Sequence, residues 1–485
     1  MEQLNGQDAT FLYMESPRTP MHVSGLSIYD PSTAPGGEVR FKQILDHIGS
    51  RIHLVRALRQ KLVRVPLELD FPYWINDPDF DLEFHVRHIA LPAPGDWRQL
   101  CIQVARLHSR MLDLSKPLWE MYVIEGLDNI GGLPKGSYAI LSKFHHAAID
   151  GATGAEITAV THDLSPESVA SPPDKPFVGE QPPSALELLA RTFGNNIREP
   201  FKLMEVLSKA IPAFARTRVK LARNQLESAG KVPDTIFNRP VSAHRVFEGS
   251  NFDLADLKSI KNVVPGATIN DAVVSVVGGA VRCYLKARGA LPEESLIAMA
   301  PINVRKEEEK GTGGNQVSAM AIAVRSDIAD PLDRLRAVHQ ATKNSKALSN
   351  AYGARLMTDI NKHIPAATQA LAGRLVTRWG VINRFDPIYN LAITNVPGPQ
   401  VPLYMNGARL VTQYGLGPLV DSASLFIAVL SYNAKITISV TSCRELMPDP
   451  AFFASCVVES VTDSLLAAQQ IQVDTAANDQ VPESV

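Results

Sequence analysis

The chain has 485 residues, 45% hydrophobic and 20% charged, which is long enough for two or three lobes and too apolar for a disordered or fibrous protein. Its formal charge of -2 offers no basic field to a nucleic acid, so that class of partner is set aside. Four cysteines, Cys101, Cys283, Cys443 and Cys456, lack CxxC spacing and read as buried thiols of a reducing compartment rather than as a disulfide frame or a metal site.

The first eight residues are polar and lack a basic stretch followed by an apolar one, so no secretory signal is expected. No uninterrupted apolar run reaches the roughly 18–20 residues of a membrane-spanning helix. A cytoplasmic location is the expectation, with any membrane contact peripheral. A first lobe is predicted for residues 1–165. Within it, 120–126 and 137–144 read as strands joined by a turn-rich stretch. The second is apolar on both faces, with Tyr138, Ile140 and Phe144 on one side and Ala139 and Leu141 on the other, and so belongs inside a sheet. From Gly151 onward Ala155, Ile157, Ala159 and Val160 suit a helix.

Residues 166–240 change character. Pro166, Pro172, Pro173, Pro176, Pro182 and Pro183 mark a linker, and a basic amphipathic helical stretch follows over 184–230, with Pro200 and Pro212 expected to break or kink it. A second lobe is predicted for 241–470, with a helix over 268–288, a strand over 296–304, and a hairpin of 425–432 and 435–443 around Asn433-Ala434. The tail, 471–485, is polar and acidic and is expected to be disordered.

The strongest motif is Phe144-His145-His146-Ala147-Ala148-Ile149-Asp150-Gly151, a match to HHxxxDG at the junction of a strand and a helix. A neutral imidazole is well suited to take a proton from an alcohol near pH 7. Adjacent strand residues point to opposite faces, so His145 and His146 cannot share a substrate or readily chelate one metal. One faces a reaction and the other faces packing, which favours acid–base chemistry over zinc. Asp150, four residues beyond His146, could orient the imidazole or hold the loop, and Gly151 gives room for the helix start to pass close by. Asn270 and Asp271 open a helix, where polar residues favour the first turn. Pro117, Leu118 and Trp119 read as packing, and the stretch 395–399 reads chiefly as a turn. The basic stretch reads either as a solvated face or as a helix lying on anionic lipid.

With these segments in place the chain resembles the bacterial wax ester synthase/diacylglycerol acyltransferases, of the HHxxxDG superfamily with the chloramphenicol acetyltransferase-like and condensation-domain fold. The resemblance shows at Pro20-Met21-His22-Val23, Phe80-Asp81-Leu82, His85-Val86-Arg87, Pro117-Leu118-Trp119 and HHxxxDG. It continues at Thr268-Ile269-Asn270-Asp271, Pro301-Ile302-Asn303-Val304-Arg305, Gly314-Asn315, Asn395-Val396-Pro397-Gly398-Pro399, Gly407-Ala408-Arg409 and Ser431-Tyr432.

It implies an α/β (α+β) fold of two lobes with mixed sheets, a cleft or tunnel between them and a helical linker. The implied activity is transfer of a fatty acyl group from acyl-CoA to diacylglycerol or a long-chain alcohol. His146 would be the base, His145 its structural neighbour, and Asp150 would pair with an arginine. Asn270 and Asp271 would support the site from across the cleft. No metal and no cofactor beyond acyl-CoA as co-substrate are implied. No acyl-enzyme is needed, because no cysteine or serine sits in a triad-like setting such as GxSxG. The alternatives are an acyltransferase for another alcohol or amine, and a non-catalytic lipid-droplet protein of the same fold. One departure is Ala434, where a glycine usually makes the two-residue turn; a type I′ turn there would be strained.

Overall fold

The computed structural model describes residues 1–149, 151–167, 177–303, 317–352, 359–360 and 362–478. Two six-stranded mixed sheets carry the fold. The first has the order β12 (Tyr404–Met405), β13 (Ala408–Leu416), β2 (His22–Asp30), β7 (Tyr138–His145), β6 (Trp119–Glu125) and β5 (Val86–Ala90). The second has the order β10 (Val317–Ala323), β9 (Ile297–Asn303), β11 (Leu391–Pro397), β14 (Leu425–Tyr432), β15 (Lys435–Cys443) and β8 (Arg245–Asp253). A small sheet joins β1 (Glu2–Gln3), β4 (Tyr73–Asn76) and β3 (Gln60–Val63). The parallel pairs are β5 with β6, β9 with β11, and β11 with β14; the other pairs in the two large sheets are antiparallel. This is the two-lobed mixed α/β architecture expected from the sequence.

The two-sided apolarity of β7 has a direct outcome. Tyr138, Ile140 and Phe144 enter one core with Ile44 and Ile48 of α2 (Phe41–Arg51) and Ile157 of α5 (Gly151–Thr161). Ala139 and Leu141 enter another with Leu100 and Val104 of α4 (Trp97–His108). The short α3 (Leu82–His85) leads into β5 and stacks His85 on Trp119. In the second lobe β8 runs into α7 (Leu254–Asn262), whose Leu257 and Ile260 join the core. There Val273, Val276, Val277 and Val281 of α8 (Ile269–Lys286) pack with Ile393, Ile427 and Ile438 of the sheet and with Leu335 and Val338 of α9 (Pro331–Tyr352). Each such fully buried aliphatic side chain contributes about 1.5–3 kcal/mol.

Several expectations need correction. The lobes are not cut once along the chain: β12 and β13, after residue 400, complete the first sheet beside β2, with Gln413 opposite Ser27 and Leu416 opposite Ser24. Sheet partners this distant leave no trace in local periodicity. Pro200 and Pro212 do not break the linker helix, because α6 (Ala185–Ala222) is continuous through both. Its first half packs Leu188 against Val65 and Tyr73, and farther along Thr217 Oγ1 donates to Ala351 O (2.9 Å), so tertiary contacts on both sides hold the helix across the missing amide bonds.

The expectation of four thiols also fails. Cys283 and Cys456 form a disulfide, because α8 lies beside α11 (Pro450–Asn478) and brings their Cα atoms to 5.7 Å across 173 residues of sequence; Cys101 and Cys443 stay free and buried. Residues Pro450–Ile471 are long and apolar enough, by length and composition, to cross a membrane. Glu459 and Asp463 interrupt the apolar run, so a search for an unbroken stretch passes over it. Its buried positions Phe453, Cys456, Val457 and Val461 recur at three and four residues against α8, the pattern of a core helix. The same helix continues past Gln470 to Asn478, where a disordered tail was expected. Propagating an established helix costs little.

Candidate active site

Strand β7 is paired on both sides, and its end is held from both. His145 N–H donates to Leu118 O on the β6 side (2.9 Å), and His146 N–H donates to Met21 O on the β2 side (2.9 Å). This alternation sends the two imidazoles to opposite faces. His145 is 0% exposed. Ala147 N–H donates to its Nδ1 (3.0 Å), so the neutral ring carries its hydrogen on Nε2, which lies 3.6 Å from Oε1 of Glu15, whose side chain is buried. His146 is half-buried, and one face of its ring stacks on Phe11 of α1 (Gly6–Met14), with centroids 3.9 Å apart and planes 11° apart. His145 is thus the packed member of the pair and His146 the accessible one.

The surroundings of the pair are structural and close to neutral. Leu118 and Trp119 are buried, and Trp119 Nε1 donates to Leu58 O (2.8 Å), so this segment packs and offers the Leu118 carbonyl to His145. Pro117 accepts Trp119 N–H at the strand start (2.8 Å). His22, opposite His145 in the register, donates through Nε2 to His108 O; His108 Nε2 donates to Gly417 O (3.1 Å), and its Nδ1 accepts the Ser24 hydroxyl (2.8 Å). Burial drives His22 well below the usual imidazole range and His108 down to about 3, so both are uncharged at neutral pH. Lys143 is fully buried on the His145 face and donates to Leu107 O in the last turn of α4 and to Arg110 O just beyond it, with the Glu120 carboxylate 3.5 Å away. Burial lowers its amine to about 8.

Asp150 lies outside the described residues, as do Val304, Arg305, Gly314 and Asn315; Gly151 is the first residue of α5. In the second lobe Asp271 is 1% exposed. Its Oδ2 accepts Thr268 N–H (2.8 Å) and the Thr268 hydroxyl (2.9 Å), which closes the N-terminus of α8, and His339 Nδ1 approaches it at 3.0 Å. Asp271 is therefore engaged in structure. Asn270 is half-buried, and its Oδ1 accepts from Asn395 Nδ2 at the limit of a hydrogen bond (3.5 Å). Asn395 and Pro397 belong to β11 rather than to a turn, and the turn proper begins at Gly398, whose N–H donates to Ser431 O (2.9 Å). Asn433 and Ala434 both take positive φ, 45° and 62°, so the turn carries the strain that Ala434 predicts. Among the described residues no cluster of three or more His, Cys, Asp or Glu is arranged to hold a metal.

Comparison with known proteins decides the family. Residues 4–273 match the wax ester synthase/diacylglycerol acyltransferase catalytic domain, and residues 313–463 match the WS/DGAT C-terminal domain. The chain belongs to this family. It is 34% identical over 452 residues to a putative diacylglycerol O-acyltransferase of Mycobacterium tuberculosis, covering 93% of this chain and 87% of that protein. It is 30% identical over 471 residues to an O-acyltransferase of Acinetobacter baylyi, covering 92% and 93%. A wax ester synthase/diacylglycerol acyltransferase structure from Marinobacter aquaeolei VT8 superposes with a TM-score of 0.65 at 24% identity, over 96% of this chain and 100% of that one, which supports the shared fold.

Three residues that contact the histidine pair or its strand end escaped the sequence reading as functional candidates: Phe11, Glu15 and Met21. Phe11 and Glu15 are four residues apart, a spacing that marks one helical face. Nothing in the spacing says that this face meets a strand end more than 120 residues away in sequence. Met21 was visible only as part of Pro20-Met21-His22-Val23, and its role is that of its backbone.

Proposed function

We propose that the chain is an O-acyltransferase that moves a long-chain fatty acyl group from acyl-CoA to the hydroxyl of diacylglycerol or of a long-chain alcohol, with His146 as general base. The observation that carries this is an accessible imidazole at the end of an interior strand whose neighbouring residues are pinned on both sides. His146 takes the hydroxyl proton as the acceptor oxygen attacks the thioester carbonyl. The C–S bond then breaks, and the imidazolium returns the proton to the departing thiolate. A positioned base contributes about 10²–10⁴ in rate, and oxyanion stabilisation adds to it. The cysteines support a mechanism without an acyl-enzyme: Cys101 is buried and its thiol pushed well up, Cys443 is buried, and Cys283 and Cys456 are paired. Purified protein given palmitoyl-CoA with hexadecanol and diacylglycerol together should release free thiol and form ester, and the product ratio gives the acceptor preference. No thiol release with either acceptor, or transfer only to an amine, would remove this reading.

A lipid surface is the proposed place of work, supported by α6. Counted at about 100° per residue, Leu186, Leu189, Phe193, Met204 and Ile211 fall within a stripe of roughly 60°, and all five are exposed. Leu188, Thr192, Ala210 and Thr217 are buried on a different face against the protein. Arg216, Arg218, Lys220 and Arg223 are near the C-terminal end of the helix. An outward apolar stripe on a helix that ends in a basic cluster suits an anionic bilayer or inclusion surface. Replacing these four bases by glutamate should weaken binding to vesicles containing phosphatidylserine at low salt and spare turnover on a detergent-dispersed acceptor. Equal vesicle binding would leave α6 as a solvated strut.

A further inference from the structure

The end of α1 touches both histidines through residues on one face. Phe11 lies flat against the His146 ring. Glu15, four residues on and at the C-cap, turns its carboxylate inward, where it is 2% exposed. Its Oε1 accepts Met21 N–H (3.2 Å) and lies 3.6 Å from His145 Nε2. Met21 is in turn the peg for His146, whose N–H its carbonyl accepts (2.9 Å). On its other side α1 packs against α10 (Ala366–Trp379), with Thr10 Oγ1 donating to Gln369 Oε1 (3.2 Å). Gly373 leaves room for the Tyr13 carbonyl, which a side chain there would strike. The helix is thus wedged between a second-lobe helix and the motif.

We propose that Phe11 and Glu15 are positioning residues for the acyl transfer, which rests on His146 being the base. Phe11 fixes the plane of the ring. Once His146 holds the alcohol proton, the Phe11 face also stabilises the imidazolium, because an aromatic face attracts a cation placed over it. Glu15 accepts Met21 N–H through Oε1 and sets that oxygen 3.6 Å from His145 Nε2, a polar contact beyond hydrogen-bond length. It thereby fixes the strand end that carries His146 and gives the buried His145 ring a polar neighbour. The Met21 hydrogen bond needs only an oxygen acceptor, so an amide carbonyl at the same place serves as well.

The test uses the full chain and four variants, with kcat, KM for palmitoyl-CoA and melting temperature measured for each. Phe11→Leu should lower kcat between about twofold and thirtyfold, the span of cation–π effects, with KM within twofold and melting temperature unchanged. Phe11→Tyr, which keeps the aromatic face, should restore kcat. Glu15→Ala should lower kcat, and Glu15→Gln should recover most of it. The proposal is overturned if Phe11→Leu and Glu15→Ala both turn over within twofold of the native protein. It is equally overturned if Tyr and Gln rescue nothing, or if the losses follow melting temperature alone. A parallel His146→Ala protein separates the two levels. If it retains turnover, the base assignment itself falls; if it is inactive while Phe11→Leu is normal, only the role of α1 falls.

Discussion

Each lobe presents an adjacent pair of polar residues at the end of an element, and each divides the pair between core and opening. In the first, His145 is sealed in and His146 is accessible; in the second, Asp271 is sealed in and Asn270 is accessible. The means differ. On β7 the period of two turns neighbours to opposite faces, whereas at the start of α8 a rotation of about 100° per residue separates them and a capping box holds the inner one. Two adjacent polar residues at the end of an element are thus divided between a buried position and an accessible one. Which residue takes which part depends on the element that carries them.

The sharpest break in that comparison comes from the histidines. His146→Ala should lower turnover at least about a hundredfold with unfolding free energy nearly unchanged. His145→Ala should lower unfolding free energy by about 2–4 kcal/mol, since it empties a buried site and strips Ala147 N–H of its acceptor. Thiol-release kinetics and urea unfolding separate the two. The reverse pattern, with stability lost at His146 and turnover lost at His145, would exchange their roles.

Acid should distinguish the lobes next. His22, His47, His85, His108 and His162 are all held below the usual imidazole range, chiefly by burial, and all belong to the first lobe. Their folded values lie below the unfolded 6.5, so between the two the unfolded chain binds protons that the folded chain does not. Stability is therefore full above about 6.5 and is lost as pH falls. His162, lowered to about 4, accounts for up to about 3 kcal/mol of that loss. Hydrogen exchange at pH 5 should show β6 and β7 losing protection before β14 and β15, and His162→Phe should flatten the decline. Simultaneous loss in both lobes would mean that they unfold as one unit.

Smaller effects belong to the second pair. Asp271→Ala should cost about 2 kcal/mol through the lost cap and the His339 contact. Asn270→Ala should stay within about 0.5 kcal/mol of the native stability and lower turnover severalfold. Native turnover in Asn270→Ala would confine the chemistry to the first lobe.

Local pattern made much of this legible. The two-sided apolarity of 138–144, the helix opening at Thr268, and the hairpin through Asn433 all follow from periodicity and turn chemistry within one element. What escaped depends on pairing between distant segments. The Cys283–Cys456 disulfide, Glu15 beside His145, and Arg18 reaching Asp421 (3.2 Å) require helices and loops far apart in sequence to meet. Proline at 200 and 212 misled for a related reason, since propensity is overridden where neighbours hold both ends of a helix.

The late strand β13 also has a consequence in time. β2 is made early, yet its outer partner leaves the ribosome roughly 380 residues later, which at about 5–20 residues per second is a wait of roughly 20–80 s. Until then the nascent chain carries an open strand edge with Leu26 and Ile28 along it, able to pair with another nascent copy. Any fragment ending before residue 408 keeps that edge permanently. Its expression as a soluble monomer requires that β2 be covered by something other than its own chain.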